Sequence, residues 1–217
     1  MIRILKKSSP HKLIVHQKTR IKGVVQHFGN MSADCKDNLR ESLRSEQGGI
    51  CAYCNQKLGK KTKIEHHCEQ TICNGRKGKP DKRIDYSNMF LVCEGNPGKD
   101  QHCDSKKSEF TVRTGLPMEL NPLIKEHTDS ISYTKGGIIK STNRGHSREL
   151  NTLLNLNQKI LVKLRKRKII GILKLVNYSK QTPNYNKLLA FVQDDIRSLN
   201  YSSNFPGISK FYYNKYK

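Results

Sequence analysis

The sequence contains no tryptophan and only six phenylalanines, so aromatic side chains contribute little to any core. Long apolar runs are missing too. Nothing approaches the roughly 20 consecutive apolar residues that a membrane span requires, and residues 1–10 lack the apolar stretch of a secretion signal. These absences predict a cytoplasmic protein with no membrane association. Acidic residues are scarce, 18 against 41 lysines and arginines, for a net charge of +23. Residues 1–44 carry +7, residues 45–158 carry +5 and residues 159–217 carry +11, so both ends are more one-sided than the middle. A field of that sign favours polyanions, and nucleic acid is the commonest one inside cells. Hydrophobic residues make up 35%, modest for 217 residues, which predicts elongated parts rather than one large core.

Composition divides the chain into three stretches: a basic arm and helix over 1–47, a Cys- and His-rich middle over 48–115, and a hairpin with a basic helical region over 116–217. The first residues read as a short extended segment stopped by Pro10, followed by polar, basic sequence without periodicity to Gly29. A helix is predicted over 34–47, with Leu39 and Leu43 spaced i,i+4, Asp34 as its cap and Gly48-Gly49 as its end. In the middle stretch the apolar bursts are short, at Ile64 and over 89–92, and residues 74–82 form a basic loop. Such a region cannot bury enough apolar surface alone and needs a staple. Residues 114–122 read as a loop, and residues 131–139 as a hairpin turning at Gly136-Gly137. A long helix is predicted over 147–176, with a stripe of Leu150, Leu153, Leu154, Ile160, Leu161 and Leu164 and a run of Lys and Arg over 163–168. The stripe serves either the chain's own core or a partner. A second helix is expected over 184–199, before a Tyr-rich tail.

Seven cysteines are an odd number, and five fall between Cys51 and Cys93. In a reducing compartment such clustering points to metal ligation before disulfides, with Cys35 as the spare. Cys51-Ala-Tyr-Cys54 is a CxxC knuckle that needs two further ligands for tetrahedral zinc, and Cys93 and Cys103 are the natural partners. Cys68, Cys73 and His102 remain alternatives for the later ligands. A redox CxxC would need a thioredoxin-like βαβ context, which is missing.

Between the cysteine pairs lie Ile64-Glu65-His66-His67 and Asn88, the latter just before the apolar burst that ends at Cys93; His102-Cys103-Asp104-Ser105-Lys106-Lys107 follows. This order resembles the HNH endonucleases, whose core is a ββα-metal finger. The segments MIRILKKSSPHKL, QGGICAYC, LPMELNPL, YTKGGII and ELNTLLNLN extend the likeness to the PtuB-type HNH subunit of Septu and retron-linked phage-defence systems. The resemblance implies an α+β fold: a small zinc-stapled ββα-metal core flanked by N-terminal and C-terminal helical segments. It implies a nuclease cutting DNA or tRNA beside a PtuA-like ATPase, with a retron reverse transcriptase and its RNA/DNA product as further partners. Its roles would be His66 as general base, Glu65 and Asp104 as ligands of Mg²⁺ or Mn²⁺, Asn88 as brace of the loop holding the base, and Lys106 and Lys107 as phosphate contacts.

Elementary chemistry supports those roles. An imidazole titrating near neutrality can take a proton from water, and carboxylate oxygens suit a hard divalent ion. His66 and His67 point to opposite faces of a strand, so only one can share a site with a given phosphate; alignment on IEH selects His66. The chain departs from the family at Glu69, where proline is common, and at Asp104, where His or Asn is usual; His102 is the alternative to Asp104. A reading from another class is a zinc-stabilised nucleic-acid-binding module without chemistry, which has no reason to keep Glu65, His66 and Asp104 together. A ribosome-associated basic protein would explain the charge but leave the finger idle.

Overall fold

The computed structural model describes residues 1–19, 22–76, 81–96, 98, 100–114, 117–180 and 204–216. The fold is α+β with two small antiparallel sheets. Three helices and one sheet frame the centre: α1 (His11–Lys18), α2 (Ala33–Glu46), the pair β1 (Thr62–His66) and β2 (Met89–Cys93), and α3 (Asp104–Thr114). Then come α4 (Lys125–Asp129), the hairpin β3 (Ile131–Tyr133) and β4 (Ile139–Ser141), α5 (Arg144–Arg148), α6 (Lys159–Lys180) and α7 (Pro206–Tyr216). No described helix is long and apolar enough to cross a membrane.

Helix α2 lies where its pattern predicts, with Cys35, Leu39 and Leu43 on one buried face. Its cap is Ser32 rather than Asp34: the Ser32 hydroxyl accepts from the Cys35 N–H at 3.2 Å, and Asp34 lies in the first turn, where a carboxylate favours the positive end of the helix. At the other end Gln47 acts as a piece of strand, its carboxamide donating to Leu91 O at 2.7 Å and accepting from Leu91 N at 2.7 Å. That contact satisfies the outer edge of β2, all four of whose apolar residues Met89 to Val92 are completely buried. Strand β1 covers the other edge, with Ile64 opposite Leu91, Glu65 opposite Phe90 and His66 opposite Met89.

Three expectations are corrected. Helix α1 forms in sequence that shows no periodicity, anchored by Leu13. The helix expected over 147–176 is two: α5 runs into a wide π turn (Glu149–Leu153), the chain reverses at Asn155 with φ of 47°, and α6 starts at Lys159. Among the described residues one large core forms where a low apolar content predicts none: residues from Met1 through Phe90 to Tyr212 share one apolar cluster. Leu150, Leu153, Leu154 and Leu161 belong to that cluster, so most of the leucine stripe is this chain's own core. The hairpin turn at Gly136-Gly137 forms as expected. The helix expected over 184–199 lies outside the described residues, and the tyrosine-rich tail is helical as α7.

Candidate functional site

Four of the seven cysteines converge. The Sγ atoms of Cys51, Cys54, Cys93 and Cys103 all lie within 4.8 Å of one another, with Cys51–Cys103 and Cys54–Cys93 both at 3.8 Å. A tetrahedron of sulfurs about 2.3 Å from zinc has edges of about 3.8 Å, so the tetrad could hold a metal ion of that kind. The sequence places the first pair on a tight knuckle, where Asn55 takes a left-handed φ of 60° and its N–H donates to the Cys51 carbonyl. The second pair depends on Gly95, at φ +72°, where a Cβ would stand 1.9 Å from the His102 carbonyl oxygen; only glycine permits the turn that brings Cys103 back to Cys93.

His102 and the two remaining clustered cysteines are not ligands of this tetrad. His102 turns its Nδ1 to the Cys103 sulfur at 3.2 Å, which seats the imidazole against the tetrad. Cys68 and Cys73 are bonded to each other, where clustering points to metal ligation before disulfides. Cys35 is free and buried under α2, as the spare was expected to be.

Beside the tetrad, β1 and the start of α3 turn two carboxylates toward each other. Glu65 and Asp104 are close enough for Asp104 to raise the Glu65 pKa directly. Burial is the larger cause, and together they push Glu65 up to about 8 while Lys107 pulls against both. Burial also pushes Asp104 up, but hydrogen bonding with Glu65 and the Lys63 ammonium at 3.0 Å outweighs it and leaves the carboxyl below its ordinary range. Tyr53, from inside the CxxC knuckle, donates its hydroxyl to Glu65 Oε1 at 3.3 Å, so the cysteine tetrad and the acidic pair are directly connected. Sequence reasoning missed Tyr53; its only signal is its place between two metal-ligating cysteines.

His66 ends β1. Its Nε2 lies 3.0 Å from the Arg83 carbonyl, which can only accept, so Nε2 carries the proton and Nδ1 is the basic atom. The Phe28 ring packs edge-on at 5.0 Å, and burial lowers the imidazole's pKa, keeping the ring neutral near pH 7. Asn88 holds the backbone around it: its Oδ1 accepts from Cys68 N at 2.8 Å, and its Nδ2 donates to Cys68 O at 2.9 Å and to Lys82 O at 3.1 Å. The same amide thus ties the exit of β1 to the loop that orients His66. Replacing Asn88 with Ala leaves three buried backbone groups unpaired, and the expected cost is about 2–4 kcal/mol. Urea denaturation of the zinc-loaded protein measures it; a loss under about 0.5 kcal/mol would show that Asn88 braces nothing.

His67 faces away, donating Nε2–H to the Leu120 carbonyl at 3.1 Å and packing against Phe90. Burial pushes its pKa down from 6.5 to about 4. The unfolded chain therefore binds a proton that the folded one refuses. Stability is full above about pH 6.5 and falls as pH drops toward about 4, by up to about 3 kcal/mol. Comparing urea midpoints with those of His67→Gln isolates this term from zinc loss, because Gln can keep the bond to Leu120 and does not titrate. Equal pH slopes in the two proteins would contradict it.

Of the two lysines expected at phosphate, Lys106 is partly exposed and pairs with Glu109 at 2.7 Å. Lys107 is 1% exposed, turned inward onto Glu65. The reason is local, since Asp104 and Lys107 stand i,i+3 on α3 and both face the buried Glu65.

No protein-family model matches the chain, and no curated protein is significantly similar to it. The functional argument rests on the residues. Two buried carboxylates this close call for positive charge, which Lys107 supplies to Glu65 and Lys63 to Asp104; their oxygens are hard donors of the kind that a divalent ion also takes.

Proposed function

We propose that this chain is a metal-dependent endonuclease of the HNH, ββα-metal type, the effector subunit of an anti-phage defence complex with a PtuA-like ATPase. One observation carries the reading: a neutral, oriented histidine follows directly on a buried carboxylate that faces a second one, next to a four-cysteine zinc frame. In this reading β1, β2 and α3 are the ββα finger. Glu65 and Asp104 would hold Mg²⁺ or Mn²⁺, which would supply stabilisation of the charge that develops on the phosphate and the leaving oxygen. His66 Nδ1 takes the proton of a water as its oxygen attacks phosphorus, and the scissile P–O bond breaks with its electron pair left on the ester oxygen. The Arg83 carbonyl keeps the ring in the tautomer this requires.

The exposed lysines and arginine of α6, at 159, 163, 166, 167 and 174, offer charge for the rest of a polyanion. DNA is the first expected substrate and tRNA the second. In a retron-linked system the reverse transcriptase and its RNA/DNA product would be neighbours of the complex, and cutting would be gated by the partners. The test is side-by-side incubation of plasmid DNA and total tRNA with the zinc-loaded chain and Mg²⁺ or Mn²⁺, alone and with its ATPase. Metal-dependent cutting of either supports the reading. Binding of both without cutting in any combination would favour a second one, a zinc-stabilised binding module. The ion pair of Lys107 with Glu65 is the observation that speaks for that alternative, since it already neutralises the carboxylate.

A further inference from the structure

Lys107 is among the largest fully buried side chains of the molecule. Its ammonium contacts Glu65 Oε1, donates to the His66 carbonyl at 2.9 Å and lies 3.6 Å from Glu69 Oε1. That last oxygen is buried and has no hydrogen-bond donor of its own. Asp104, one turn earlier on α3, meets Glu65 from the same side. One ammonium with three donors therefore sits among two carboxylates and a carbonyl, oxygens of the kind that a hard divalent ion takes, with Asp104 joined to them through Glu65. Only Lys63 adds further positive charge, and it reaches Asp104 from the solvent side, with 47% of its own side chain exposed.

We propose that Lys107 holds the place of the divalent ion, and that it gives up Glu65, Glu69 and the His66 carbonyl when an ion enters and turns outward toward the phosphate. The inference rests on the reading of Glu65 and Asp104 as ion ligands and adds Glu69 to their set. Two cations cannot share these oxygens at contact distance, so one must leave. Lysine is suited to do so, being a point charge on a four-carbon stem with several rotatable bonds. Arginine's rigid fork would not be. The exchange also reconciles the sequence position of Lys107, which resembles a phosphate contact, with a side chain that points inward. It makes ion loading and phosphate engagement a single event, so neither is complete without the other.

The experiment uses the zinc-loaded full chain and Mn²⁺. Free Mn²⁺ is followed by electron paramagnetic resonance in wild type and Lys107→Met, and amine labelling of Lys107 in wild type is read by mass spectrometry with and without Mn²⁺. The expected results are binding about tenfold tighter in K107M, where no ammonium competes, and labelling of wild-type Lys107 that rises when Mn²⁺ saturates. The labelling arm needs no variant, so it decides alone if K107M does not fold. Mn²⁺ binding with Lys107 still protected would overturn this inference and leave the nuclease reading intact. Failure of both proteins to bind Mn²⁺ would remove the inference together with the assignment of Glu65 and Asp104.

Discussion

With zinc on the four-cysteine tetrad as proposed, stripping the metal with a chelator is expected to abolish the cooperative unfolding transition, not merely to lower it. The four sulfurs come from the knuckle before β1, the end of β2 and the start of α3, so the metal fixes three segments that share little regular structure. Structural zinc contributes about 10–16 kcal/mol in small sites, while a domain's net stability is about 5–15 kcal/mol. The first quantity is as large as the second, so the apo chain keeps only the pairing with β1, the Gln47 contact and apolar packing to hold β2 in its buried place. Its loss would also loosen the entry to α7, where the Phe205 N–H donates to the carbonyl of Asn55, on the knuckle, at 2.7 Å. Cys93→Ser and Cys103→Ser are expected to behave like the chelated protein. Cys35→Ala, which removes a buried thiol outside the tetrad, should cost only about 1–2 kcal/mol. A chelated protein with an unchanged melting curve would show that the sulfurs meet for another reason.

Replacing His66 with Ala is expected to lower cleavage about 10²- to 10⁴-fold, the range that a general base contributes, while leaving zinc content and the melting curve nearly unchanged. The ring's polar contact is a single hydrogen bond to a loop carbonyl, and its packing partner Phe28 is itself only partly buried. Structural cost should therefore be small beside catalytic cost. His67→Gln serves as the control, because that side chain lies on the opposite face against Phe90 and Leu120 and has no path to the same phosphate. Equal losses in both variants would mean that β1, not the base, had been damaged.

Much of this arrangement is legible in the sequence, and the exceptions have physical causes. Periodicity locates α2 because Leu39 and Leu43 alone on a polar background leave one possible face. It misses α1 because Leu13, Ile14 and Val15 are adjacent, a pattern that suits a strand as well as a helix. It runs α5 and α6 together because the leucines keep helical spacing across a reversal made by Asn155, and a single residue with left-handed backbone leaves no trace in an apolar pattern. The cysteine tetrad can be read in part from spacing: a CxxC knuckle seeks a second pair, but which later residues supply it depends on the turn at Gly95 that brings Cys103 back to Cys93. The direction of Lys107 cannot be read, because it depends on three oxygens from β1 and the turn after it, about 40 residues away in sequence. The Cys68–Cys73 bond was likewise hidden, as a five-residue separation fits ligation and a disulfide equally well.

The most direct test of the central claim, that His66 activates water for metal-assisted hydrolysis, is cleavage of nucleic acid in ¹⁸O-labelled water with Mn²⁺. The account predicts that each cut places labelled oxygen on the newly formed terminal phosphate, and that labelling and cutting disappear together in His66→Ala. Cutting that leaves unlabelled cyclic phosphates, or that persists without His66, would contradict it.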